Sequence, residues 1–164
     1  MINNTILYAA YGSNMNLEQM SMRCPYAEVL CIGTLKDYRL TFCGNRSGSG
    51  VANIQRENGS TVPIVLWIIT SRCEKVLDIY EGYPRLYKKQ IIKVKTQYGI
   101  VEAMAYVMSK EYERPATPGG RYYGIIQRGY EDHGLDIAPL IASLHCVSQE
   151  ALDYKKGIER TSMA

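Results

Sequence analysis

Apolar positions in this chain fall mostly in short runs suited to extended backbone, so the dominant expectation is β-structure. Residues Ile6–Tyr11, Glu28–Leu35, Tyr38–Cys43 and Val51–Gln55 read as strands, and the continuous apolar stretch Val62–Thr70 reads as a buried central strand. Lys89–Thr96 and Ile100–Met108 flank Gln97-Tyr98-Gly99 in the manner of a hairpin. Seven such segments suffice for a curled sheet or small barrel. Helical spacing is rarer. It predicts a short helix over Leu17–Arg23 after a capping Asn16, and a second over Arg72–Tyr80, where Ser71 and Glu74 have capping-box spacing and Val76, Leu77 and Tyr80 recur. A last helical region, Tyr122–Asp132 and Ile137–His145, is expected to pack on the sheet, with Thr161–Ala164 frayed. The Ser47-Gly48-Ser49-Gly50 stretch and Pro115–Gly120 read as loops. The fold class is α+β.

The 164 residues, 46% of them hydrophobic, fit a single domain (1–164) able to bury a full core. A diffuse net charge of +3 with no basic block argues against nucleic acid as a partner. No apolar stretch approaches the roughly 18 to 20 residues that span a bilayer, and no signal-like segment opens the chain, so no membrane partner is expected and the expected location is the cytoplasm. Five cysteines, an odd number without a CxxC pair, are expected as reduced and mostly buried thiols. His133 and His145 have no close spacing to each other or to a cysteine, so no metal site is expected. Tyrosine is abundant, 14 against one Phe and one Trp, as suits half-buried sheet faces or a polar cleft.

Two positions carry candidate chemistry. Tyr11-Gly12-Ser13-Asn14 follows an apolar run and precedes a polar helix-compatible stretch. A strand ending at Gly12 with positive φ would let amide N–H groups and short side chains converge on an anionic oxygen, although an ordinary turn has the same composition. Glu81 stands where the second helix meets Gly82, with Pro84 beyond it. A carboxylate is disfavoured at that end of the helix dipole, but only by roughly 0.3 to 1 kcal/mol, so tuning towards neutrality would require burial. Tyr80, Tyr83 and Tyr87 are the expected wall; a solvent-exposed Glu81 at a frayed end is the plain alternative.

Taken in order, Tyr8-x-x-Tyr11-Gly12-Ser13-Asn14, Arg23-x-Pro25-x-Ala27, Asp37-Tyr38-Arg39-Leu40, Leu77-Asp78-x-x-Glu81-Gly82-Tyr83-Pro84-x-x-Tyr87 and Tyr122 ahead of Gly129-Tyr130-x-x-x-Gly134-Leu135 resemble the γ-glutamylcyclotransferase-like family over about residues 5 to 145. The Glu-Gly-Tyr-Pro version is that of a broad bacterial and plant branch; Met15 stands where the family often has Leu. A C-terminal extension, 146–164, would lie outside the match. The resemblance implies a mixed sheet closed into a small barrel with flanking helices. It implies intramolecular attack of a γ-glutamyl α-amine on its own γ-carbonyl, releasing 5-oxoproline and an amine or amino acid without a cofactor. Glu81 becomes the proton acceptor, and Tyr8, Tyr11, Gly12, Ser13, Asn14, Tyr87 and Tyr122 the substrate-binding residues. Ser13 as a nucleophile is disfavoured, since no His is near in sequence and no GxSxG elbow is present. A non-catalytic binding module of the same fold, and an acyl-transfer enzyme for a non-glutamyl amide, are the competing functions.

Overall fold

Two long bent strands dominate the architecture. The computed structural model describes residues 4–44 and 49–163. Within them β2 (Glu28–Gly44) is one strand where the hydrophobic pattern suggested two, and β3 (Gly50–Thr70) likewise, so five strands replace the expected seven. The polar interruptions are irregularities within a ladder. Pairing passes from Lys36↔Thr61 to Tyr38↔Arg56 around Asp37, which has φ 62°. The Gly59 amide donates to Asp37 Oδ1 at 3.0 Å, tying the bulge together.

With β1 (Thr5–Ala10), β4 (Tyr87–Thr96) and β5 (Gly99–Met108), these strands close into a barrel ordered β1-β3-β2-β4-β5. All its ladders are antiparallel except the seam, where β1 runs parallel to β5 through Tyr8↔Met104. This is the closed mixed barrel that the resemblance implied. Val62–Thr70 is indeed central, lying between β1 and β2 with Val62, Ile64, Val65 and Leu66 fully buried. Such burial explains its unbroken apolar pattern. The Gln97–Gly99 hairpin also forms as read, joining β4 and β5 at Thr96↔Gly99.

Among the described residues, four α-helices flank the barrel. Asn16 caps α1 (Leu17–Arg23), accepting from the Gln19 amide at 2.9 Å. Helix α2 (Ser71–Tyr80) starts one residue earlier than expected, because Thr70 is its cap and accepts from the Cys73 amide at 3.2 Å. Helix α3 (Gly120–Asp132) lies over the turn that follows β1. Helix α4 (Ala138–Ser162) runs well past the expected end at His145. Its buried side, Leu140, Ser143, Val147 and Ala151, continues the helical spacing, and the Arg39–Glu150 ion pair at 2.6 Å fastens it to β2. Thr161 and Ser162 belong to this helix rather than to a frayed tail. Ser47, Gly48 and Ala164, where a loop and fraying were expected, lie outside the described residues.

The expectation of five reduced thiols is corrected. Cys24, just after α1, forms a disulfide with Cys73 in the first turn of α2. A separation of 49 residues gave no sequence cue to that pairing. Cys31, Cys43 and Cys146 are free thiols. No described helix is long and apolar enough to cross a membrane.

Candidate active site

The end of α2 sets the direction of Glu81. Gly82 adopts φ 62°, its amide donates to Ile79 O at 3.2 Å, and the Tyr83 amide donates to Asp78 O at 2.9 Å. These paired bonds form a Schellman turn, which needs a residue at ease with positive φ and therefore favours glycine. The chain reverses there and leaves the part-buried Glu81 on the wall of a 210 Å³ pocket. Tyr8, Tyr11, Gly12, Ser13, Asn14, Tyr87 and Tyr122 line the same pocket, so β1, the turn after it, α2, β4 and α3 all contribute.

Residues Ser13–Met15 form a single 3-10 turn held from several sides. Trp67 Nε1 donates to Asn14 O at 3.0 Å, Asn16 Nδ2 donates to Ile125 O at 3.0 Å, and the Leu17 amide donates to Asp132 Oδ2 at 3.0 Å. His133 Nε2 lies 2.7 Å from Met15 O. Within the turn, the Met15 and Asn16 amides bond back to Gly12 O and Ser13 O, whereas the Ser13 and Asn14 amides find no acceptor among the described residues. Gly12 is not in the positive-φ region that the sequence suggested; its φ is −124°. Glycine is needed there for closeness, since an added Cβ would meet Ala52 Cβ at 3.0 Å.

Burial dominates the electrostatics. It pushes the Glu81 carboxyl from 4.5 up to about 7, opposed by the positive charge of Arg23. Asn14 Nδ2 donates to Glu81 Oε1 at 3.2 Å and to Tyr8 OH at 2.9 Å. Desolvation also raises Tyr8, Tyr11, Tyr87 and Tyr122 above the usual phenol range, keeping them neutral. Their hydroxyls divide into two kinds. Tyr11 and Tyr87 donate to the carbonyls of Tyr106 and Ala52. Tyr8 and Tyr122 instead accept, from Asn14 and the Ala52 amide, so each keeps its hydroxyl hydrogen for another partner.

The expected tyrosine wall needs correction at Tyr83. That ring is 40% exposed and sits over Lys89 Nζ at 4.2 Å, outside the pocket lining. Tyr80 lines the pocket, its hydroxyl 3.2 Å from Ser13 Oγ. Sequence reasoning assigned no role to Tyr106, which also lines the pocket, or to Arg23, whose guanidinium reaches Asn14. The Arg-x-Pro-x-Ala stretch contained the only cue to Arg23. A larger groove of 880 Å³, between α4 and residues 111–117, contains none of the candidate residues. Among the described residues, no group of three or more His, Cys, Asp or Glu is placed to hold a metal ion.

The family model for "Gamma-glutamyl cyclotransferase, AIG2-like" matches residues 8–132. The chain belongs to this family. Human gamma-glutamylcyclotransferase is 32% identical over 142 residues, covering 81% of this chain and 74% of that protein. The bovine protein of the same name is 31% identical over 160 residues, covering 92% and 82%. A solved gamma-glutamyl cyclotransferase superposes with a TM-score of 0.74 at 29% identity, over 88% of this chain and 87% of that one. The family match thus spans the turn after β1, Glu81 and Tyr122.

Proposed function

We propose that this protein is a γ-glutamylcyclotransferase-type enzyme, acting in the cytoplasm on a small γ-glutamyl amide and using no cofactor. One observation carries the assignment of roles: Glu81, at about 7, is divided between base and acid near neutral pH while held by Asn14 on a pocket wall. A general acid–base works best with its pKa near the working pH. Glu81 takes a proton as the substrate's α-amine attacks its own γ-carbonyl, and returns it to the departing nitrogen as the γ-amide bond breaks. The new ring amide is that of 5-oxoproline, and atoms balance without water or a second reactant.

The remaining lining residues bind and orient. Intramolecular attack gains a large effective molarity once the glutamyl chain is folded into a near-attack ring. The Ser13 and Asn14 amides, without an acceptor among the described residues, and the hydroxyls of Tyr8 and Tyr122 supply donors for the α-carboxylate and the developing oxyanion. At 210 Å³ the pocket is below the roughly 300 to 1,000 Å³ of drug-sized sites, a size suited to the glutamyl moiety with the leaving group at the mouth. Ser13 has the Tyr80 hydroxyl as its partner, and His133 bonds the turn backbone at Met15, so Ser13 has no histidine base.

The substrate itself provides the test. A γ-glutamyl compound with a free α-amine should yield 5-oxoproline in a mass-spectrometric time course, and its N-acetyl analogue should not react. Free glutamate, or cleavage of the acetylated analogue, would show that water or Ser13 attacks and would refute the cyclisation.

A further inference from the structure

Arg23, the last residue of α1, meets the site through three contacts. Its Nη1 donates to Asn14 Oδ1 at 2.6 Å, its Nη2 donates to Gln19 Oε1 at 2.7 Å, and its guanidinium lies 3.6 Å from the centre of the Tyr80 ring. Arginine has donors and no acceptor, so it selects the amide oxygen of Asn14 and not the NH2 group. That choice fixes the other end. With Oδ1 turned to Arg23, Nδ2 faces Glu81 Oε1 and Tyr8 OH. A flipped Asn14 would present oxygen to the Glu81 carboxylate, an arrangement tolerated only when Glu81 carries a proton.

We propose that Arg23 is a positioning residue for the cyclisation: by locking the Asn14 amide, it holds Glu81 in the form able to accept the substrate's proton. This deepens the proposed function and rests on it. Among the described residues, Arg23 is the charged group acting on this carboxyl, and the other titratable groups facing it are phenols. Tyr8 comes from β1, Tyr11 from the turn, Tyr80 from α2, Tyr87 from β4, Tyr106 from β5 and Tyr122 from α3. Tyr106 directs its hydroxyl to Asp78 at 2.6 Å. Burial favours protonated Glu81 and Arg23 opposes it.

The experiment compares wild type with Arg23→Met, which loses charge and donors, and Arg23→Lys, which keeps the charge and a donor. Titration of Glu81 is followed by 13C NMR of glutamate-labelled, ligand-free protein, with its signal assigned through Glu81→Gln. In Arg23→Met the midpoint should rise by about one pH unit, the low end for losing an opposite charge near a carboxylate. At pH 7 the base form would fall from half to roughly a tenth, so kcat/KM should drop about fivefold and its acid limb should move with the NMR midpoint. Arg23→Lys should recover most of both effects. An unmoved midpoint in folded Arg23→Met, or an Arg23→Lys midpoint as high as that of Arg23→Met, would overturn the proposal. If Arg23→Met does not fold, the Lys variant decides: a midpoint within about 0.3 unit of wild type supports the proposal, and a rise of one unit refutes it. The titration needs no turnover, so failure of the cyclisation itself would be seen separately.

Discussion

Replacing Glu81 with Gln should stabilise the protein, and only above a definite pH. The folded state raises this carboxyl from 4.5 to about 7 because it is buried, so folded protein holds the proton more tightly than unfolded protein does. Below pH 4.5 both states are protonated and Glu81 costs little. Between 4.5 and 7 the unfolded chain ionises first and the native state loses ground. Above pH 7 the difference is complete, at about 3 kcal/mol for a gap of that size at 1.4 kcal/mol per pKa unit. Gln is neutral throughout and can still accept from Asn14 Nδ2. Urea denaturation at half-unit steps from pH 4.5 to 8.5 should therefore show Glu81→Gln equal to wild type at the acid end and increasingly more stable towards pH 7. At pH 8 the gain corresponds to roughly 6 to 12 °C in Tm for a chain of this size. Equal stabilities at pH 8, or a gain independent of pH, would refute the claim that burial loads this carboxyl.

Three further substitutions probe the surrounding structure. Gly12→Val should abolish binding of 5-oxoproline by calorimetry, because its Cβ already falls 3.0 Å from Ala52 Cβ and 3.8 Å from the pocket-lining Tyr122 hydroxyl, before the branch is added. Ser13→Ala should keep measurable turnover, and complete inactivity in folded protein would restore Ser13 as a nucleophile. Cys24→Ser should lower unfolding free energy in non-reducing buffer by about 4 kcal/mol, the loop-entropy value for a bridge of this span, with no loss in reducing buffer. Equal stability of the variant and wild type without reductant would contradict the Cys24–Cys73 link.

Local signals carried much of this structure. Asn16 before α1, Gly82 after α2 and Tyr98-Gly99 between β4 and β5 are each set by the backbone geometry of a few neighbours, and each was legible. What failed depends on partners distant in sequence. The polar run Arg56–Thr61 separates the strands expected over Val51–Gln55 and Val62–Thr70, yet β3 spans it: pairing with β2 passes from Tyr38↔Arg56 to Lys36↔Thr61, and the Gly59 bond to Asp37 holds the residues between. Helix α4 extends past His145 with Val147 and Ala151 still buried as the helix packs on β2 and β3, a reward invisible in a window of mixed polarity. At the site, the family resemblance named Tyr8, the turn and Glu81, and the structure places them around one pocket. The reason for Gly12 was wrong: the constraint is contact with Ala52 from β3, not the backbone torsion. Tyr83 was misplaced because, two residues past Glu81, it lies beyond the Schellman reversal and faces Lys89.

The central claim, that one carboxyl moves the proton in both halves of the reaction, is tested most directly by turnover of Glu81→Gln. With a γ-glutamyl substrate confirmed for the wild type, 5-oxoproline release should fall at least about a hundredfold, the lower range for loss of a general acid–base, while 5-oxoproline still binds. Turnover within a few-fold of wild type would contradict the account and remove Glu81 from the chemistry.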